Sequence, residues 1–143
     1  MDIIIGSDHA GFDLKEKIKV FLSEENEFPV KDIGTFNNDP IDYTTIAHEA
    51  AKNISEKKFS RGILICGSGI GMSIVANKHR NVRAALCHNL YTVKFSRKHN
   101  DANILALGGR VLGVGLALEM VDLFLHTEFE GGRHKRRLDK IEN

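Results

Sequence analysis

The sequence of 143 residues contains only two cysteines and two prolines, and its apolar runs are short. A membrane-spanning helix needs about 20 consecutive apolar residues, so we expect no membrane segment. The start Met1-Asp2-Ile3 lacks the basic region of a signal peptide, which predicts a cytoplasmic protein without a disulfide between Cys66 and Cys87. The formal net charge of +1 gives no general reason to expect nucleic acid or a membrane as partner.

Short β-forming runs alternate with helical patterns along the whole chain. The strands are predicted at 3–6, 30–33, 63–66, 82–86 and 103–107, and the helices near 14–22, 46–54, 72–78, 91–98 and 114–126. This alternation predicts an α/β fold, a Rossmann-like three-layer α/β/α sandwich with a five-stranded parallel sheet. Because no linker or repeat interrupts the pattern, we expect a single domain over 1–143, in which 127–143 form a basic C-terminal tail.

The most informative segment is the glycine loop 67–71, which follows the third predicted strand. Cys66 ends that strand, and Gly67, Gly69 and Gly71 let backbone N–H groups crowd inward. Ligands of parallel sheets bind at the carboxyl ends of the strands, where Cys66 would lie. In such a site a thiolate is favoured, and it can act as a base or a nucleophile.

Residue 72 excludes three better-known loop motifs. A Walker loop needs Lys, a dinucleotide fingerprint needs Gly or Ala, and a Cys-x5-Arg phosphatase loop needs Arg, where this chain has Met72. These residues alone do not exclude that Cys66 is an inert buried cysteine beside a glycine turn. A zinc site is not predicted, because His48-Glu49 is followed by Lys52 where a zinc-protease helix has its second histidine.

Three polar segments have both structural and functional interpretations. Asp8 can be a helix N-cap, and Asn100 can be a turn residue chosen for its conformation. The basic tail can be a solvated helix. However, Arg133 and Arg137 stand four residues apart and share one helix face, which suits a phosphate.

Taken together, the residues resemble the ribose-5-phosphate isomerase B family, with its galactose-6-phosphate isomerase relatives, over the entire chain. The resemblance rests on Gly6-Ser7-Asp8-His9-Ala10-Gly11, Asp42-Tyr43, Cys66-Gly67-Ser68-Gly69-Ile70-Gly71, Ala76-Asn77-Lys78, Arg97-Lys98-His99-Asn100-Asp101-Ala102-Asn103, Gly108-Gly109-Arg110-Val111 and Glu130-Gly131-Gly132-Arg133-His134. It implies an aldose–ketose isomerase that interconverts ribose 5-phosphate and ribulose 5-phosphate in the non-oxidative pentose phosphate pathway, without a cofactor or metal.

The resemblance also implies the roles of the site residues. Cys66 would remove the C2 proton, while the loop N–H groups of Gly67, Gly69, Ile70 and Gly71 hold the enediolate and Ser68 moves a proton between O1 and O2. His99, with Asp8, would open the furanose ring. The substrate-binding residues would be His9, Arg110, Arg133, His134 and Arg137 at the phosphate, and Tyr43 and Asn100 at the sugar.

In this family the site is shared across a homodimer. The resemblance implies that Cys66 acts beside Asp8 of its own subunit, with His99 and the arginines supplied by the other, and it leaves open whether two dimers pair into a tetramer. A branch of the family carries a glutamate base at position 72, but Cys66 and Met72 place this chain in the cysteine branch. The alternatives are an allose- or galactose-6-phosphate isomerase, or a non-catalytic module that binds a sugar phosphate or nucleotide.

Overall fold

The computed structural model describes residues 1–25 and 28–142. Its five strands are β1 (Ile3–Ser7), β2 (Val30–Asp32), β3 (Arg61–Cys66), β4 (Ala84–Leu86) and β5 (Ile104–Gly108). Its helices are a short 3₁₀ helix (His9–Gly11), α1 (Phe12–Glu25), α2 (Tyr43–Ser55), α3 (Ile70–Ala76), α4 (Leu90–Lys98), α5 (Val114–His126) and α6 (Arg133–Leu138). Among the described residues no helix is long and apolar enough to cross a bilayer.

All strand pairs are parallel, and the strand order is β2-β1-β3-β5-β4. This confirms the predicted five-stranded parallel sheet. The chain leaves β1 toward β2 on one side and later places β3 on the other side, so the strand order reverses between β1 and β3. The helices that follow β1 and β3 lie on opposite faces of the sheet, and ligands of such folds bind beside the carboxyl ends of this strand pair. Cys66 ends β3 at this edge, as the sequence predicts.

Successive strand residues point to opposite faces of the sheet, and each face is covered by its own helices. Ile63 and Ile65 pack in a core with α1, α4 and α5, whereas Leu64 packs in a second core with α2 and α3. Both cysteines are buried and free, and they lie on opposite sides, with Cys66 in the second core and Cys87 in the first. The sheet itself separates the two thiols.

Several predicted boundaries differ from the structure by one to three residues, and two of these differences have a clear local cause. β4 begins at Ala84 instead of residue 82, because the Val82 N–H turns back to the His79 carbonyl. The side chain of Asn77 then bonds both the N–H and the carbonyl of Ala84 at 2.8 and 2.9 Å. α3 begins at Ile70 instead of residue 72, directly after Gly69, whose φ of 79° belongs to the left-handed region that glycine reaches readily.

Candidate functional site

The Cys66 thiol lies at the end of β3 and is 5% exposed. Its Sγ atom accepts a hydrogen bond from the backbone N–H of Gly69 at 3.1 Å, and the N–H of Ile70 donates to Ser68 Oγ at 3.2 Å. The loop therefore folds its N–H groups toward its own sulfur and hydroxyl oxygen. Such a donor stabilises negative charge on the sulfur, which is what a thiolate base requires.

The end of β1 brings two more predicted residues to the same edge of the sheet. Asp8 is buried, and its backbone N–H donates to the Ile65 carbonyl of β3 at 3.1 Å. Its Oδ1 accepts from the Gly11 N–H at 3.1 Å, so the N-cap interpretation is confirmed. The Nδ1 atom of His9 accepts from the Ile41 N–H at 3.2 Å, which leaves Nε2 as the nitrogen that can donate.

Tyr43 and Arg110 border the Cys66 loop from two sides. A Cβ atom placed on Gly71 would come within 2.6 Å of the Tyr43 ring, and one on Gly67 would lie 3.5 Å from Arg110 Cδ. The glycines therefore allow these two side chains to approach the loop backbone closely. We call Asp8, His9, Tyr43, residues 66–71 and Arg110 the thiol cluster.

The remaining predicted residues surround a separate cavity of about 450 Å³. His99, Asn100, Arg133, His134 and Arg137 line it together with Leu138 and Ile141, and we call the first five the histidine cluster. His99 ends α4, and α6 carries the arginines and His134, with Arg133 and Arg137 exposed. None of the described residues that line this cavity belongs to the thiol cluster. The predicted site residues thus form two groups within one chain.

The histidine cluster contains an aromatic stack. The rings of His99 and His134 are 4.1 Å apart at their centroids, with planes only 13° apart. His134 is buried, and its pKa is lowered from the usual value by desolvation and then by the positive charge of His99 and Arg133, with Glu130 acting in the opposite sense. The lowered pKa favours the uncharged form of the His134 ring.

His99, Glu130 and His134 place one potential ligand atom each within 4.8 Å of the others. A metal ion lies near the plane of every imidazole that binds it, and two nearly parallel stacked rings cannot both meet that condition. These side chains would have to leave the stack to bind an ion, so we do not assign a metal site to them.

Two residues that contact the histidine cluster were assigned no role in the sequence analysis. Glu130 lies 3.5 Å from His134 Nε2 through its Oε2 atom, and the ring of Phe95 lies 4.7 Å from that of His99. Phe95 stands four residues before His99 along α4, a spacing that places side chains side by side on a helix and was an available signal. Glu130 precedes the first residue of α6, so no helical spacing pointed to its contact with His134.

The whole chain matches known proteins. The family described as Ribose/Galactose Isomerase matches residues 3–141. The chain belongs to this family. Ribose-5-phosphate isomerase B of Escherichia coli is 43% identical, with 97% of this chain and 93% of the relative covered. D-erythrulose-4-phosphate isomerase of Pectobacterium atrosepticum is also 43% identical, with 99% and 93% covered. The predicted class, an isomerase of sugar phosphates, is therefore confirmed.

Solved structures show the same fold. Ribose-5-phosphate isomerase B of Clostridium thermocellum superposes with a TM-score of 0.97 at 49% identity, covering 99% of this chain and 95% of that one. The enzyme of Mycoplasma genitalium, solved with bound ribulose 5-phosphate, gives a TM-score of 0.93 at 39% identity, covering 98% and 93%. The predicted three-layer α/β/α architecture is confirmed by this similarity.

Proposed function

We propose that the protein interconverts ribose 5-phosphate and ribulose 5-phosphate through an enediolate, in the non-oxidative pentose phosphate pathway, with Cys66 as the base. The observation that carries this proposal is the Cys66 thiol, placed where the strand order reverses and 3.1 Å from the Gly69 N–H. A buried structural cysteine has no need of a donor aimed at its sulfur. Membership in a family of sugar-phosphate isomerases supports the same reading.

In the proposed reaction the thiolate of Cys66 takes the proton from C2 of the open-chain aldose. The electron pair of that C–H bond forms the C1–C2 double bond, and the carbonyl electrons move to O1, which gives the enediolate. The thiol then returns a proton to C1, and Ser68 moves a hydroxyl proton from O2 to O1. The product is the ketose, and no electrons are gained from or lost to another molecule.

The backbone N–H groups of residues 67–71 stabilise the negative charge of the enediolate in this proposal. Since the N–H groups of Gly69 and Ile70 already donate to Cys66 Sγ and Ser68 Oγ, we assign the oxyanion first to those of Gly67 and Gly71. One well-placed donor of this kind contributes about 3 kcal/mol to transition-state stabilisation.

Ring opening precedes proton removal, because ribose 5-phosphate is mainly a furanose. We assign this step to His99 as general acid and base, with Asp8 at the thiol cluster. Arg110, Arg133 and Arg137 carry the positive charge that a phosphate requires, and His9 can donate a hydrogen bond to it from Nε2. We assign Tyr43 and Asn100 to contacts with the sugar hydroxyls.

This division of labour requires a homodimer, in which the thiol cluster of one subunit faces the histidine cluster of its partner. Exposed apolar side chains support such an interface: Ile70 and Ile74 on α3 are 50% and 57% exposed, and Tyr91 on α4 is 72% exposed. These helices flank β4, the edge strand of the sheet. An unprotected edge with apolar neighbours is typical of an association surface. The tail 127–143 would then reach the partner's phosphate site.

The test compares the unaltered protein with Cys66→Ala, and uses Cys87→Ala as the matched control because that thiol lies on the other side of the sheet. Turnover of ribose 5-phosphate is measured without added metal or nucleotide, beside erythrose 4-phosphate, allose 6-phosphate and galactose 6-phosphate. We expect Cys66→Ala to lose at least about 10³-fold in kcat while it still binds the sugar phosphate in calorimetry.

Unchanged turnover in Cys66→Ala would refute the base. Preference for a four- or six-carbon substrate would move the assignment to that sugar phosphate. Ligand binding without turnover in the unaltered protein would favour a non-catalytic module. Cytoplasmic localisation and independence of cofactors stay predictions.

A further inference from the structure

The ring of His99 is held between elements that are distant in sequence. Tyr91, Phe95 and His99 follow one face of α4 at four-residue intervals, and their rings contact one another at 4.6 and 4.7 Å. His134 of α6 adds the stacked contact at 4.1 Å. An imidazole that contacts two other rings has few orientations available, whereas an exposed one rotates freely.

His134 is unlike the arginines beside it on α6. Its side chain is 6% exposed, and its Nε2 atom has no hydrogen-bond partner in the described structure. The Glu130 carboxylate lies 3.5 Å from this nitrogen. Arg133 and Arg137, by contrast, are exposed, as a phosphate-binding side chain should be before the substrate arrives.

Glu130 is itself anchored to the end of α4. Its backbone N–H donates to the Lys98 carbonyl at 3.1 Å, and its carboxylate lies 3.5 Å from Lys98 Nζ. The residue next to His99 therefore fixes Glu130, and Glu130 lies against His134. The contacts form a closed path from the end of α4 through residue 130 to α6 and back to the ring of His99.

We propose that His134, with Glu130 beside its Nε2 atom, is a positioning residue that holds the imidazole of His99 in place for ring opening, rather than a ligand of the substrate phosphate. The inference rests on the proposed function, because it assumes that His99 opens the ring. It replaces the phosphate-binding role that the family resemblance implied for His134.

The charges around His134 set a condition on this role. Arg133 and Arg137, and His99 when it is protonated, face His134 with positive charge, and Glu130 faces it with negative charge. Protonation of His134 would add a cation to a buried ring stacked on His99 and beside two arginines. The stack is therefore stable with His134 neutral and weakens as the pH falls through the pKa of His134, which lies below the usual value of about 6.5.

The test separates ring opening from proton transfer. Ribulose 5-phosphate cannot close to a furanose, because its C5 oxygen carries the phosphate. Exchange of its C1 hydrogen with D₂O, followed by NMR, therefore needs the thiol cluster but no ring opening. Turnover of ribose 5-phosphate needs both. The variants are His134→Ala, His134→Phe and Glu130→Gln, with Lys135→Ala, an exposed neighbour on α6, as control.

We expect His134→Ala to lower kcat for ribose 5-phosphate about tenfold or more, with KM and C1 exchange within about twofold of the unaltered protein. His134→Phe keeps a ring in the stack and should restore most of the turnover, without the loss of activity at acid pH that protonation of His134 causes. The kcat of Glu130→Gln should lie between those of His134→Ala and His134→Phe, and the kcat of Lys135→Ala should match that of the unaltered protein.

Equal loss of turnover and exchange in His134→Ala would overturn the proposal, since that pattern indicates general damage to the site. An increase in KM alone would also overturn it and return His134 to the phosphate. Should His134→Ala not fold, His134→Phe and Glu130→Gln decide the question by the same two rates. Absence of ribose 5-phosphate turnover in the unaltered protein would instead remove the proposed function, and this inference with it.

Discussion

The backbone N–H of Gly69 donates a hydrogen bond to the Sγ atom of Cys66 at 3.1 Å, within the turn that joins β3 to α3. The bond depends on the left-handed backbone of Gly69, whose φ is 79°. A residue that lies three positions beyond Cys66 thus supplies the hydrogen-bond donor to the sulfur of the proposed base. The conformation of the loop therefore determines which donor the thiol receives.

Gly69→Ala should damage both folding and activity. Its Cβ would lie 2.6 Å from Leu86 Cδ1 and 2.9 Å from the backbone carbon of Leu107, at a φ that alanine disfavours. We expect a loss of about 2 kcal/mol in the free energy of unfolding and a fall in kcat. Gly115→Ala is the control, since no atom lies within 4 Å of its added Cβ in α5. Chemical denaturation should show that the control is as stable as the unaltered protein, or more so.

Mixing two inactive variants should recover activity if the site is shared. In a dimer of Cys66→Ala with His99→Asn, one site carries both defects and the other carries neither. Random pairing makes half of the dimers mixed, so about a quarter of the unaltered activity should return. Co-refolding of the two purified variants and a turnover assay measure this. No recovery, despite mixed dimers detected by differently tagged subunits, would place each whole site within one chain.

Arg137→Ala should weaken substrate binding much more than Arg136→Ala. Arg137 lines the cavity of the histidine cluster, whereas its exposed neighbour Arg136 is absent from that lining. A hydrogen bond to a charged group contributes about 1.5–3 kcal/mol, which predicts a KM increase of roughly 10- to 150-fold with a smaller change in kcat. Initial rates over a range of ribose 5-phosphate concentrations measure it. Equal effects of the two substitutions would remove Arg137 from the phosphate site.

The buried ion pair between Lys15 and Asp32 should make stability fall in acid. Burial alone raises the pKa of Asp32, but hydrogen bonds from Lys15, Lys19 and the Gly34 N–H outweigh it and hold the pKa below its usual value. The folded state therefore gains stability above the unfolded pKa of about 3.9, and this gain is lost as the pH falls through the lower folded pKa.

Asp32→Asn should flatten the acid limb of a plot of Tm against pH. At pH 7 it removes the partner of the fully buried Lys15 at 2.6 Å, leaves only the more exposed Glu16 carboxylate at 3.1 Å, and should cost about 3 kcal/mol. Asp139→Asn, which breaks an exposed pair with Lys135, is the control and should cost less than about 1 kcal/mol. An acid limb that is as steep in Asp32→Asn as in the unaltered protein would contradict the assignment.

Local patterns in the sequence were sufficient for much of this molecule. The alternation of β runs and amphipathic helices predicted five parallel strands, and the glycine loop after residue 66 predicted the turn into α3. The pairing of Arg133 with Arg137 predicted one helical face, which α6 provides. These features depend on residues only a few positions apart, whose backbone preferences and side-chain spacing act before any distant contact forms.

Tertiary structure alone decided which of these residues meet. The strand order brings Asp8 to Ile65, and α6 folds back on α4 so that His134 is buried against His99. In the sequence His134 lies among arginines and a lysine in a basic tail, and nothing in this pattern predicts that its side chain is buried. Contacts between residues 35 positions apart depend on how helices pack across the sheet, which no local pattern encodes. The order of amino acids supplied the groups available for chemistry, while packing decided which of them meet.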